Sequence, residues 1–523
     1  MSVFSLNPTE PGLLDPKGNP FFTFGVNYEG YFDRAWAMWR NDTFNLALIE
    51  KDFVKARVSG FNMLRLFIQK ENRLAIEKGD WQKIDAVFNL ARKYGLYVML
   101  TFNDEHSRYL ARVGQFNAKI CRHFKGDPII HSWDIENEPR LYNLLVAVYP
   151  GGQCPLLTSA LVDHYGEFVP RSQTDGKRVP GNPWDDKNKT FYYHNAVKAY
   201  TRFTTDAARS GLPSIVDYMN SSQSAKWRPF LNLLDQTIAA WIAPQMEPMK
   251  LADPNRLFSI GWNWEDLAAM PVNRVLDFHQ IHKYGKVGYK TLNKTFSMLT
   301  ALNRTFPNQP LIMGEFGYST DESRKAETPR PIDPRVAALH EAALMCFIRS
   351  EGMSGGIKWM LNDVRNAPNP FEAGLGVYAD FDKEKPSRRI YAHLASIWRN
   401  TQDRGHLRVT PDNQTHIQMH YQCERGGLSG GGASEAPVTW QASKPTHIFT
   451  SWDISGQVRV EADAPAQVQL DPAALSPRWI GDGGASVYRL GGDTFSPEGI
   501  HPPGQPVSLS LTDDDPRLVT PLG

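Results

Sequence analysis

Eight short apolar stretches, separated by segments with helical spacing, constrain this chain more than any other feature. They run over residues 21–27, 62–68, 96–103, 129–137, 256–262, 277–284, 310–317 and 355–363. Strands buried on both faces read as near-continuous apolar runs, and parallel neighbours need a crossover that is usually helical. Between them, "LALIEKDFVKARVSG" and "WQKIDAVFNLARKYG" carry apolar residues at helical spacing, and each stops on a glycine suited to a helix C-terminus. Eight strand–helix units of the α/β class predict a closed (β/α)8 barrel, a TIM barrel, with "RIYAHLASIWRN" as its last helix. The competing doubly wound sheet lacks its Gly-rich phosphate loop after the first strand.

The chain has 523 residues, more than a barrel of roughly 250 requires, so an accessory unit is expected. After residue 404 the texture changes to short alternating runs such as "HIQMHYQ", "QVRVEAD" and "VSLSLT". We therefore divide the chain into a barrel over 1–404 and an all-β, sandwich-like domain over 405–523, with 425–437 as a loop inside the latter. The gap between the fourth and fifth strands is also too long for one barrel unit. The surplus, about residues 141–225, belongs to the loop after strand four, on the face where barrel active sites form. It carries Trp184, Asp185, Asp186, Tyr192, Tyr193 and His194, and is expected to wall off one end of a groove and so to favour chain ends.

With 57 basic and 56 acidic residues the net charge is +1, which supplies no field for drawing in nucleic acid or an anionic membrane. No apolar run reaches the roughly 18 residues of a membrane span, and "MSVFSLNPTEPG" lacks the features of a signal peptide, so a cytoplasmic location is expected. Cys121, Cys154, Cys346 and Cys423 are scattered, without the paired spacing of a zinc site or disulfide framework. No cofactor or metal is expected, and the oligomeric state is open.

The stretch "HSWDIENEPR" places Asp134, Glu136 and Glu138 at alternate positions before Pro139. In an extended strand these acids share one face, while Trp133, Ile135 and Asn137 take the other. Pro139 ends the ladder, leaving Glu138 at the strand tip. Placing all eight strand ends on one rim gathers Arg65, Asn103, Asn137, Glu138, Trp262, His282, Tyr284, Glu315 and Trp359. Two carboxylates on opposite strands are what glycoside cleavage needs, one as proton donor and one as nucleophile or base. Arg65 and Tyr284 can hold Glu315 charged, and Trp262 and Trp359 offer flat faces for sugar rings. Bland alternatives stand beside each: a solvated edge strand for the acid stretch, a satisfied core histidine for His282, helix packing for Trp36 and Trp39, and core roles for Trp440, Trp452 and Trp479.

At these residues the chain resembles the clan A glycoside hydrolases, most closely family 5, the cellulase–mannanase family. "WDIENEP" is similar to that family's Asn-Glu-Pro ending of strand four, which implies that Glu138 is the acid/base and that Asn137 contacts the sugar's 2-hydroxyl. "IMGEFG" is similar to its nucleophile motif, implying Glu315, and "HKY", "KWM" and "NMLRLFI" match its strand-six His-x-Tyr, strand-eight Trp and strand-two Arg. These imply His282, Tyr284, Trp359 and Arg65 as substrate-site residues. The family often has a histidine near the end of strand three; here Asn103 or His106 stands for it. Glu136 is an extra acid, expected beneath Glu138, where like charge would raise the pKa of Glu138.

The resemblance and the residues together predict a retaining β-glycosidase acting on a neutral β-linked glucan, mannan or related glycoside, with a carbohydrate substrate and neither nucleic acid nor membrane as partner. A non-catalytic carbohydrate-binding barrel and a transglycosylase built on the same residues are the alternatives.

Overall fold

The computed structural model describes residues 3–102, 109–149, 194–285, 289–320, 334–365 and 370–379, shorter stretches to residue 395, and backbone strands alone beyond 400. Eight parallel strands close on themselves: β1 (Thr23–Tyr28), β2 (Met63–Phe67), β3 (Tyr97–Thr101), β4 (Ile130–Asn137), β5 (Phe258–Trp262), β6 (His279–His282), β7 (Leu311–Phe316) and β8 (Gly355–Lys358), with β8 pairing back onto β1. The expected barrel is present, and each strand falls inside its predicted stretch to within a residue. The closing helix expected over 389–400 lies mostly outside the described residues.

Helices cover the barrel because each crossover turns its apolar stripe inward. In Leu46–Val58 the Asn45 side chain caps the amide of Leu48, and Ile49, Phe53 and Ala56 are buried. The long helix Arg228–Ala252 contains Pro244 and Pro248. Pro248 has no N–H to offer the carbonyl of Pro244, and that carbonyl lies against Gly114, where a Cβ would stand 2.3 Å from it. The glycine therefore lets Leu110–His123 pack tightly on the proline-bearing helix. At the N-terminal end of the barrel, the strands Ser5–Leu6, Leu13–Leu14 and Pro20–Phe21 form a small antiparallel sheet. Its Phe4, Leu13 and Phe21 pack with Met63, Met99, Leu257, Phe278, Ile312 and Ile357 as an apolar plug.

Within the insertion after β4, helices occupy Leu141–Val148, His194–Arg209 and Ile215–Asn220. Trp184, Asp185, Asp186, Tyr192 and Tyr193 lie outside the described residues, so the wall they were expected to build does too. Beyond residue 400, strands from His406–Pro411 to Val507–Ser510 form one antiparallel sheet of five strands and one of three. Cys121 is buried, and burial pushes its thiol up.

Candidate active site

Glu138 and Glu315 stand at the C-terminal ends of β4 and β7, and both reach their positions through irregular backbone. On β4 the pairing with β5 runs Asp134 to Ser259 and then Asn137 to Gly261, so one extra residue bulges between them. On β7, Met313 pairs with Ile281 but Glu315 with His282, a second bulge at Gly314. A Cβ at Gly314 would come within 2.2 Å of the buried Gln280 side chain, so a larger residue there would displace it. Bulges beside active sites re-aim side chains; the β7 bulge lies directly before Glu315, and the β4 bulge ends at Asn137, the residue before Glu138. Glu138 itself has φ +45°, a region that non-glycine residues rarely adopt, and its amide donates to the carbonyl of Gly261 at 2.8 Å.

The bulge on β4 corrects the alternation expected for the acids. Trp133 and Ile135 pack outward in the core between barrel and helices, and Asp134 turns inward. Beyond the bulge the alternation is lost: Asn137 reaches the same Arg65 as Asp134, although the two are three residues apart. Asp134, Glu136 and Glu138 therefore do not form one row of carboxylates. Glu136 is buried.

Arg65 is the hub of the inner layer. Fully buried on β2, it donates to Asp134 Oδ2 at 2.9 Å and 2.6 Å, to Asn27 Oδ1 at 3.0 Å, to Asn137 Oδ1 at 2.8 Å and to Glu315 Oε1 at 2.5 Å. Burial opposes its charge, but Asp134 and Glu315 more than offset this, and its pKa stays above the ordinary value. Asp134 is filled on its other side by the Thr101 hydroxyl at 2.8 Å and the Gly261 amide at 3.0 Å. Tyr284 donates to Glu315 Oε2 at 2.7 Å, and burial together with the nearby carboxylates keeps its phenol protonated. Burial pushes the Glu315 carboxyl up, against the pull of His282, Arg65 and the Tyr284 hydrogen bond.

Glu138 has different surroundings. Its side chain is 20% exposed against 4% for Glu315. Asn263 donates to its Oε2 at 3.0 Å, and His282 Nδ1 stands 3.2 Å from its Oε1 and 3.4 Å from Glu315 Oε1. Burial lowers the His282 pKa to about 4, so the ring is neutral near pH 7. Glu138, His282 and Glu315 offer ligand atoms within 4.8 Å of one another, close enough to share a metal ion. The Arg65 guanidinium already occupies the cationic position beside Glu315, which works against a second positive charge there.

A cavity of about 270 Å³ opens above these groups, lined among others by Glu29, Trp36, Asn263, Trp359, Phe371 and Glu372. Of the expected rim residues, the structure brings Arg65, Asn137, Glu138, His282, Tyr284, Glu315 and Trp359 together. Asn103 lies outside the described residues, as does His106. Trp262 is a correction: it is 1% exposed, its ring centroid is 6.1 Å from that of Trp241, and it belongs to the core between barrel and helices. As the last residue of β5 it points outward, where no sugar can stack. Trp39 is likewise core, its indole donating to the carbonyl of Phe67 at 3.1 Å, whereas Trp36 lines the cavity. Asn263 and Glu29 carried no signal in the sequence: each follows a strand end, in loops whose course depends on packing.

No known family model matches the chain, and no curated protein does. Solved structures similar to it include the exo-β-1,4-mannosidase Op5Man5 from Opitutaceae bacterium strain TAV5, at 13% identity and a TM-score of 0.46, covering 75% of this chain and 62% of that one. Others are a point variant of GH5_18 from Streptomyces cattleya in complex with Manb1-4GlcNAc, at 15% identity, a TM-score of 0.46 and coverages of 73% and 82%, and a calcium-binding mutant of β-glucuronidase 2 from Bacteroides uniformis, at 12%, 0.46, 88% and 47%. The chain thus spans less than two thirds of the mannosidase's length, and likenesses at this identity assign it no activity.

Proposed function

We propose that the protein is a retaining β-glycoside hydrolase of the clan A type, with Glu315 as nucleophile and Glu138 as acid/base. The observation that carries this reading is the pair of carboxylates whose oxygens approach within 4.8 Å across one cavity in contrasting settings. Retaining enzymes hold their two carboxyl groups about 5–5.5 Å apart, whereas inverting ones leave roughly 6.5–9.5 Å for a water. Glu315, gripped by Arg65 and Tyr284, is held still for attack on the anomeric carbon, and both contacts favour its charged form against the pull of burial. Glu138, more exposed, protonates the departing oxygen and then takes a proton from the water that releases the glycosyl-enzyme. In this reading Asn137 meets the 2-hydroxyl and Trp359 faces the ring. The glycone is a neutral β-linked sugar of the glucan or mannan kind.

The test is a panel of aryl β-glucoside, mannoside, galactoside and xyloside, with proton NMR of the first product. Release of the β-anomer is expected. An initial α-anomer would refute double displacement, and binding without release would favour a carbohydrate-binding barrel.

A further inference from the structure

The cavity has two unlike sides. In the closed barrel β8 lies between β7 and β1, so the loops after β8 and β1 form the wall next to Glu315, while Glu138 and Asn263 come from β4 and the end of β5. In a double displacement the glycone stays bonded to the nucleophile and the leaving group departs past the acid. The wall from β8 and β1 therefore faces the glycone. Two acid–aromatic pairs stand on it: Glu29 with Trp36, and Glu372 with Phe371. Glu29, only 2% exposed, directly follows β1. Its carbonyl accepts from the amide of Trp36 at 3.1 Å, and Trp36 is held at φ +61°, one of two non-glycine residues at positive φ among those described; the other is Glu138. The turn between them needs glycine, since Gly30 has φ +127° and a Cβ there would stand 2.9 Å from the carbonyl of Arg34. The loop is anchored by the Trp39 indole on Phe67 and by the Arg365 amide on the carbonyl of Phe32 at 2.9 Å.

We propose that Glu29 is a specificity-determining residue of the glycone pocket: its carboxylate accepts hydrogen bonds from ring hydroxyls of a neutral sugar lying against Trp36, and it helps to reject a sugar that carries a carboxylate. This rests on the glycosidase reading above. An ionised carboxylate has only acceptors to offer, and the hydroxyls of a neutral glycone are donors. Rejection follows from the charge of the walls. Glu29, Glu315 and Glu372 line the cavity beside Glu138, which holds the transferable proton, and none of the described lining residues is Lys, Arg or His. Arg65 lies beneath, committed to Asp134 and Glu315. A uronic acid would bring a further negative charge into this space with no cation among the described lining residues to meet it, a repulsive element that discriminates without new attractive contacts.

The experiment compares p-nitrophenyl β-glucoside, β-mannoside and β-glucuronide on the wild type, Glu29→Gln and Glu29→Ala. The wild type should take the glucuronide on the order of 100-fold less well than the better neutral sugar, by kcat/KM. Both variants should lose about 10-fold on the neutral sugar, and the gap to the glucuronide should narrow. A wild type that prefers the glucuronide, or variants with unchanged kcat/KM and unchanged ranking, overturns the proposal. If the wild type cleaves none of the three, the inference is read instead from quenching of tryptophan fluorescence by methyl β-glucoside and methyl β-mannoside. Quenching in the wild type that Glu29→Ala loses supports the role of Glu29. An equal response in both, or none, overturns it.

Discussion

The two ends of the barrel each bury a histidine completely, and their neighbours differ. His131, near the start of β4, sits in the plug: its ring centroid lies 4.8 Å from Phe4 and 5.7 Å from Phe21, and its two nitrogens are met by the Thr23 hydroxyl at 3.2 Å and the Ser132 hydroxyl at 2.8 Å. His282, at the end of β6, turns one nitrogen toward two carboxylates, and its Nε2 has no hydrogen-bond partner. Burial is the first cause in both, lowering His131 to about 3 and His282 to about 4. The plug satisfies both nitrogens of His131 and surrounds them with aromatic rings, as suits an end whose task is stability. The rim concentrates acids around one guanidinium, which is costly unless substrate chemistry makes use of it.

The sharpest way to break this comparison is to remove an acid from the rim. Glu315→Ala should lower kcat/KM on the order of 10^5-fold for every glycoside. Glu138→Ala should spare the first step on substrates with good leaving groups, with added azide captured as a glycosyl azide, while costing about 10^2- to 10^4-fold on poor leaving groups. If both variants treat activated substrates alike, the roles assigned to the two acids are wrong.

The next effect belongs to the plug. Phe4→Ala opens a hole among rings packed edge to face, Phe4 on Phe21 at 4.9 Å and Phe4 on Tyr97 at 4.7 Å. It should cost about 3–5 kcal/mol in urea unfolding. Activity under folding conditions should change by less than about twofold, since ordinary surface and remote changes leave the rim unmoved. Comparable losses in both measurements would show that the two ends are coupled.

The smallest effect sharpens the histidine comparison itself. Each ring takes a proton more readily unfolded, near 6.5, than folded, so the unfolded state binds more protons between the two values and stability rises with pH there. The contribution is complete above about pH 6.5 and is lost as pH falls toward about 4 for His282 and about 3 for His131. Asp266, which burial raises to about 6, acts oppositely, its contribution fading as pH rises through that value. His131→Gln should reduce the slope of stability between pH 6.5 and 4.5 by about 1.4 kcal/mol per pH unit, read from urea midpoints, without loss of turnover. His282→Gln should flatten it similarly and also lower kcat. An unchanged slope in both would mean that neither ring is neutral in the folded protein.

The eight strands were legible because buried parallel strands leave apolar runs that local sequence displays directly, as "LYVMLTFN" and "PLIMGEFG" do. Several rim residues were legible because a strand end fixes which face of the barrel a residue joins, and this located Arg65, Glu138, Tyr284 and Glu315. Alternation failed where a neighbouring strand imposed a bulge, before Asn137 and at Gly314, since register belongs to a pair of strands and not to one. The same dependence misled the reading of Trp262, whose outward direction only the completed pairing reveals.

By itself, then, the sequence determined the class of fold and the inventory of acids, because strand length, burial and helix stops are local properties of residues and their neighbours along the chain. Tertiary structure decided which acid is gripped and which is left open, that Asn263 supports Glu138, and that Glu29 and Trp36 share a wall with Glu372 and Phe371. Those relations join residues tens to hundreds of positions apart, and they depend on barrel closure, on two bulges and on the course of loops, none of which leaves a periodic trace in the chain.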